Sequence, residues 1–159
     1  TLALGRLVTL DIEATSPLDP LRGRFLRLEY AASRIDGDMG PFADAESRIG
    51  SATYVELMRS GDQWWPFRYA FEPIEATSSD TVVLSGTLRS VTDRSIHVDY
   101  AFDQYFIPND GFDVHAVEPN SLRARLRVDA DGHGVIEDVL VDGVPYLEWN
   151  RREHERRGR

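Results

Sequence analysis

Apolar and polar residues alternate along most of this chain. In RLVTLDIEA the residues Val8, Leu10 and Ile12 fall on one face, and in RFLRLEYAA Leu26, Leu28, Tyr30 and Ala32 do the same, with Arg27 and Glu29 opposite. Successive side chains of a strand point to opposite faces, so a period of two predicts strands with one buried side. Similar runs recur in TYVELM, QWWPFRYAF, TVVLSGTLRSV, RSIHVDYAFDQYFI, LRARLRVDA, GVIEDVLVDG and VPYLEW. About eight or nine short strands follow. Turn residues separate them, at 36–41 (DGDMGP), 60–62 (SGD), 108–111 (PNDG), 129–134 (DADGHG) and 141–143 (VDG). The Asp131-Gly132 pair between alternating runs predicts a hairpin.

One stretch, AVEPNSLRARL, carries a capping residue (Asn120 or Ser121) and fits a short helix. No repeat or linker divides the chain. The expected architecture is a single all-β domain over residues 1–150, an antiparallel sandwich or partly closed barrel with at most one short helix. Residues 151–159 are charged without an apolar face and are expected as a frayed tail.

Composition narrows the chemistry. The 159 residues suit one domain, which at this size buries roughly 70% of its unfolded surface. There is no cysteine, which excludes disulfides, zinc–thiolate sites and thiol nucleophiles. All 18 basic residues are arginine, so Schiff-base chemistry and Ser-Lys dyads are excluded too. A net charge of −9, spread along the chain, repels phosphate backbones and argues against a nucleic-acid partner. No apolar stretch reaches the roughly 18 residues that span a bilayer, and no signal-peptide pattern opens the chain.

The sharpest candidate site lies in SIHVDYAFDQYFI. Read as one strand, it puts Val98, Tyr100, Phe102 and Phe106 on one face and His97, Asp99, Asp103 and Tyr105 on the other. His97 with Asp99 or Asp103 has the residue types for acid-base work, although alternation alone produces such a polar face. In QWWPFRYAF, Trp65, Phe67, Tyr69 and Phe71 are expected in the core. Trp64 stands beside Pro66, which lacks a ladder donor and favours an edge strand, so Trp64 is a candidate binding anchor together with Asp103 and Tyr105. DADGHG lacks ligand positions of a full calcium loop and is expected as a plain hairpin. No metal, no cofactor and no nucleophile elbow, zinc-protease helix or phosphate loop is expected. His115, His133 and His154 are expected at the surface.

A resemblance adds location. LRGRFLRLEY, preceded by DP and the strand VTLDIEA, resembles the motif of the bacterial GDYXXLXY protein family. Gly23, Leu28 and Tyr30 match; Arg24 stands where the motif has aspartate, and Phe25 where it has tyrosine. In DYAFDQYFIPNDG, Tyr100, Asp103, Tyr105, Phe106 and Pro108 are similar to a second block of the family, and LRVDADGHGVIEDVLVDG to its closing hairpin. The resemblance spans residues 6–143. It implies a membrane-anchored bacterial protein with one N-terminal hydrophobic helix before Thr1 and this domain on the extracytoplasmic side, and it brings no catalytic residues. Pro17, Pro20 and Gly23 have mechanical reasons to stand before a strand, since proline fixes φ and glycine permits positive φ. The motif therefore reads as a fold determinant.

The expected function is a protein-interaction module contacting an envelope or membrane protein. The alternatives are an acid-base, hydrolase-like enzyme using Asp103 with His97 or Asp99, and a small-ligand or lipid-binding barrel with a dry cavity lined by Phe102, Phe106 or Trp65.

Overall fold

A computed structural model describes residues 5–15, 18–19, 23–36, 45–92, 94–108, 110–111 and 122–158. In chain order the strands are β1 (Arg6–Thr15), β2 (Leu18–Asp19), β3 (Gly23–Tyr30), β4 (Arg34–Asp36), β5 (Ala52–Ser60) and β6 (Gln63–Ala70). Next come β7 (Thr81–Val91), β8 (Ser95–Asp99), β9 (Gln104–Phe106), β10 (Leu122–Val128), β11 (Gly134–Val141) and β12 (Val144–Pro145), and then helix α1 (Tyr146–Arg157). They form two antiparallel sheets. One runs β12-β11-β10-β1-β3-β2, with β9 also paired to β3; the other runs β4-β8-β7-β5-β6. The all-β expectation holds.

The alternation places the core where the sequence puts it. Val8, Leu10 and Ile12 of β1 and Leu26, Leu28 and Tyr30 of β3 are buried, and they join Val55, Leu57, Leu84, Ile96 and Val98 of the second sheet in one cluster. Full burial of each such side chain contributes about 1.5–3 kcal/mol. On the outer face of the second sheet, Glu56 is fully buried. Its carboxylate accepts from the Thr77 N–H (2.7 Å), the Thr77 hydroxyl (2.9 Å) and the Arg68 guanidinium (2.8 Å). These bonds hold the β6–β7 connection against the sheet.

Two crossings join the sheets. The chain leaves the first sheet after Tyr30 through a 3-10 turn at Ala31–Ser33 into β4, and it returns between Asp99 of β8 and Gln104 of β9. The crossings are tied together: Tyr30 Oη donates to the Phe102 carbonyl (2.6 Å), Tyr100 Oη to the Ala32 carbonyl (2.9 Å), and Leu28 N–H to the Asp103 carbonyl (2.8 Å). Tyr30 stands edge-on to Tyr100 and Phe102, whose rings stack at 5.4 Å. A methyl at Gly86 would lie 2.5 Å from the Asp99 carbonyl oxygen, and one at Gly134 2.8 Å from the Phe102 ring.

Three expectations need correction. The run from Ser95 to Ile107 is not one strand: it breaks at the crossing, and β8 and β9 lie in different sheets. The change of sheet resets the alternation, so Phe106 is 61% exposed beside Phe25, not buried with Phe102. The helix expected in AVEPNSLRARL lies partly outside the described residues, and its described part, from Leu122, is strand β10. The end of the chain is helical through Arg157, and VPYLEW turns helical at Tyr146. Buried Tyr146 anchors the first turn; Arg151 pairs with Glu148 and Glu155, Arg152 with Glu148, and Arg156 with Glu153, at spacings of three and four. Among the described residues no helix is long and apolar enough to cross a membrane.

Candidate functional site

His97 and Asp99 are outward residues of β8, and His97 stands opposite Arg34 of β4. The β7–β8 register slips between Leu88 and Ser90, leaving Arg89 as an extra residue whose guanidinium pairs with Asp99 at 3.6 Å. A bulge of this kind re-aims a side chain. Asp103 follows from the second crossing, where its carbonyl is fixed by Leu28. Burial, and then the Asp103 charge, push the Tyr30 hydroxyl far above its ordinary pKa, which keeps the phenol a neutral donor.

His97, Asp99 and Asp103 line one cavity of about 180 Å³, with Arg89 and Glu29. The fold thus brings together three residues named from sequence, though by two separate elements instead of one strand face. Among the described residues no hydrogen bond joins the three to one another. That cavity runs into a shallower one of about 740 Å³ through Glu29, Tyr30 and His97. A third, of about 240 Å³, continues it through Asp11, Ala31, Arg34 and Gln63 to Trp64, Trp65 and Pro66. Together they form a groove over the first crossing, flanked by both edges of the curled second sheet, β4 and β6.

The tryptophans exchange roles. A register shift between Glu56 and Leu57 leaves Phe67 unpaired in β6, so Tyr69 lies opposite Val55 while Trp64 and Pro66 lie opposite Arg59 and Leu57. Trp64 therefore packs on the core with Arg6 over its ring at 5.7 Å, whereas Trp65 is 56% exposed. Pro66 does sit on an edge strand. Tyr105 is outside the groove: it is half-buried against Tyr146 of α1, ring centroids 6.3 Å apart, and burial, followed by the Asp138 charge, raises its pKa. Phe102 lies in the core while Phe106 and Trp65 are exposed, so these three do not wall a common cavity.

Of the motif residues, Leu28, Tyr30 and Tyr100 are buried at the crossings, and Pro108 is exposed with its carbonyl accepting from the Gly111 N–H at 2.9 Å. Pro17, Pro20, Asn109, His115 and Asn120 lie outside the described residues. Asp129, Asp131 and His133 place ligand atoms within 4.8 Å of one another on the β10–β11 turn. Their arrangement serves the hairpin: the Asp129 carboxylate accepts from the N–H groups of Asp131 (2.9 Å) and His133 (3.0 Å). The turn also docks on β7, where the Gly132 carbonyl accepts from the Ser85 N–H at 2.9 Å. His154 Nε2 meets the Asp110 carbonyl at 2.7 Å.

The tyrosines that tie the crossings, Tyr30 and Tyr100, come one from each of the two blocks that carry the resemblance. The family described as GDYXXLXY protein matches residues 1–139. The chain belongs to that family. No curated protein and no solved structure gives a match. Within the GDYXXLXY chain, the first block builds β3 and enters the first crossing, and the second builds the other crossing and β9. The groove residues Asp11, Glu13, Glu29, Arg34 and Gln63 carry no mark in the sequence, because they are ordinary outward positions spread over β1, β3, β4 and β6.

Proposed function

We propose that this domain is a protein-interaction module of the bacterial envelope, held at the cytoplasmic membrane by a helix before Thr1 and facing the extracytoplasmic side. The groove from Trp65 to Asp103 is its docking surface. The observation that carries the reading is the groove's build: a long concavity between two sheet edges, with an exposed tryptophan at one end and polar walls. Peptide-binding sites of this shape use backbone edges for affinity and flanking side chains for specificity. The proposed anchor and side of the membrane rest on what the family resemblance implies.

The test uses the full-length protein in cells. Photo-crosslinking probes at Trp65 and His97 are expected to capture the same partner, and a probe at Val135, exposed on the other sheet, is not. External protease is expected to cleave the domain only after the outer barrier is opened. Capture from Val135 alone, or a domain protected by the cytoplasmic membrane, contradicts the reading.

A second reading, an acid-base enzyme, is favoured by one observation, the shared cavity of His97, Asp99 and Asp103. It predicts that Asp103→Asn abolishes a turnover that the wild-type domain displays against small ester, amide or glycoside substrates. Absence of turnover by the wild-type domain removes it.

A further inference from the structure

The walls of the groove are unequal in charge. Its carboxylates are Asp11, Glu13, Glu29, Asp36, Asp99 and Asp103, against the guanidiniums of Arg27, Arg34 and Arg89. Arg34 is engaged by Asp36 at 3.1 Å and Arg89 by Asp99 at 3.6 Å, while Asp11 is held by Arg123 at 3.1 Å. Glu13 and Glu29 have no ion pair or hydrogen bond among the described residues. They stand directly opposite each other in the β1–β3 ladder, both exposed and both lining the middle of the groove. Like charges in that relation destabilise a sheet. Nothing in the packing requires them there, and a cation laid across them would remove the repulsion.

The two edges are also unequal. Pro66 lacks the N–H that an added strand would need, so β6 is blunted, and no described strand pairs with the outer side of β4. An extended segment can therefore pair along Arg34–Asp36 while its alternate side chains reach into the groove. At the far end Trp65 offers an exposed indole face, on which a planar guanidinium stacks better than an ammonium.

Building on the docking reading above, we infer that the groove accepts an extended, arginine-rich segment of a partner protein. The segment adds along β4, sets one guanidinium across Glu13 and Glu29, and stacks another on Trp65. A second copy of this chain is a poor occupant, because its charge of −9 opposes an acidic groove.

The test titrates the 159-residue chain with fluorescent peptides of alternating arginine and valine, their glutamate–valine counterparts, and lysine–valine analogues. The arginine peptide is expected to bind more tightly than the lysine peptide, the glutamate peptide not at all, and binding is expected to weaken with salt. Glu13→Gln combined with Glu29→Gln should weaken it about two- to thirtyfold. The same variant should melt at a higher temperature than the wild type, so the loss cannot come from misfolding. Asp142→Asn, on a distant hairpin, should leave binding unchanged. Equal binding by the double variant, or equal binding of the glutamate peptide, overturns the proposal. If no arginine peptide binds while probes at Trp65 and His97 still capture a partner in cells, the arginine-rich partner is wrong and the docking surface stands; if capture fails as well, both fall.

Discussion

Tyr30 and Tyr100 hold the two sheet crossings against each other by reciprocal bonds. The hydroxyl of Tyr30 in the first crossing reaches the carbonyl of Phe102 in the second, and that of Tyr100 in the second reaches the carbonyl of Ala32 in the first. Each phenol is buried, and each bond joins residues about seventy positions apart. Removing one hydroxyl leaves a buried carbonyl unpaired, so Tyr30→Phe and Tyr100→Phe should each cost about 1–3 kcal/mol in urea denaturation. The two should be non-additive when combined, since they share one aromatic cluster.

The same tyrosines set an alkaline limit. Burial raises both phenol pKa values above the unfolded value of 10.0. A group whose folded pKa is raised contributes stability fully present below the unfolded pKa and lost as pH rises through the folded one. Stability should therefore fall as pH climbs above about 10, and the fall should shrink in the double Tyr→Phe variant, as measured by denaturant midpoints across pH 8–12.

Gly86 is the narrowest point behind the second crossing. The Asp99 carbonyl oxygen that a methyl would meet at 2.5 Å is backbone and cannot step aside. Gly86→Ala should cost about 1–3 kcal/mol in thermal or chemical unfolding. Gly134→Ala meets the Phe102 ring, which can shift, and should cost less.

Most of the strand set was legible in the sequence because one buried face imposes a period of two, which β1, β3 and β10 follow. The reading failed where the period is interrupted. The crossing between Asp99 and Gln104 moved Phe106 from the core to the surface, and the unpaired Phe67 exchanged Trp64 with Trp65. Such breaks come from register and sheet exchange, which are tertiary properties. The candidate site was half legible for the same reason: His97, Asp99 and Asp103 are close in sequence, whereas Glu13, Glu29 and Arg34 meet them only through the strand order. The helix at the chain end was missed because its support is a buried Tyr146 and i,i+3 or i,i+4 ion pairs, not an apolar stripe.

Glu56 sets the acid limb of stability. Burial pushes its carboxyl up, but the Thr77 N–H, the Thr81 and Thr77 hydroxyls and the Arg68 guanidinium outweigh that, and its pKa falls below the ordinary 4.5. A depressed folded pKa contributes stability present above the unfolded pKa and lost as pH falls through the folded one. Glu56→Gln should lower stability by about 1–3 kcal/mol at pH 7 and by clearly less at pH 2–3, in urea titrations at both pH values.

Tyr146 ties the helix to the core. It is fully buried, with Trp149 at 5.6 Å and Tyr105 at 6.3 Å. Tyr146→Ala should cost about 3–5 kcal/mol, with loss of helical circular dichroism preceding global unfolding.

The central claim is a proposed division of labour: motif tyrosines tie the fold together, and the groove beside them is the proposed docking surface. The most direct measurement compares Tyr30→Phe with Glu29→Gln in the full-length protein, scoring melting temperature and crosslinked capture from a probe at Trp65. The account predicts that Tyr30→Phe melts earlier yet captures as well as wild type below its melting range, while Glu29→Gln melts no earlier and captures less. Loss of capture by Tyr30→Phe at unchanged melting temperature, with full capture by Glu29→Gln, would place the function in the motif and contradict it.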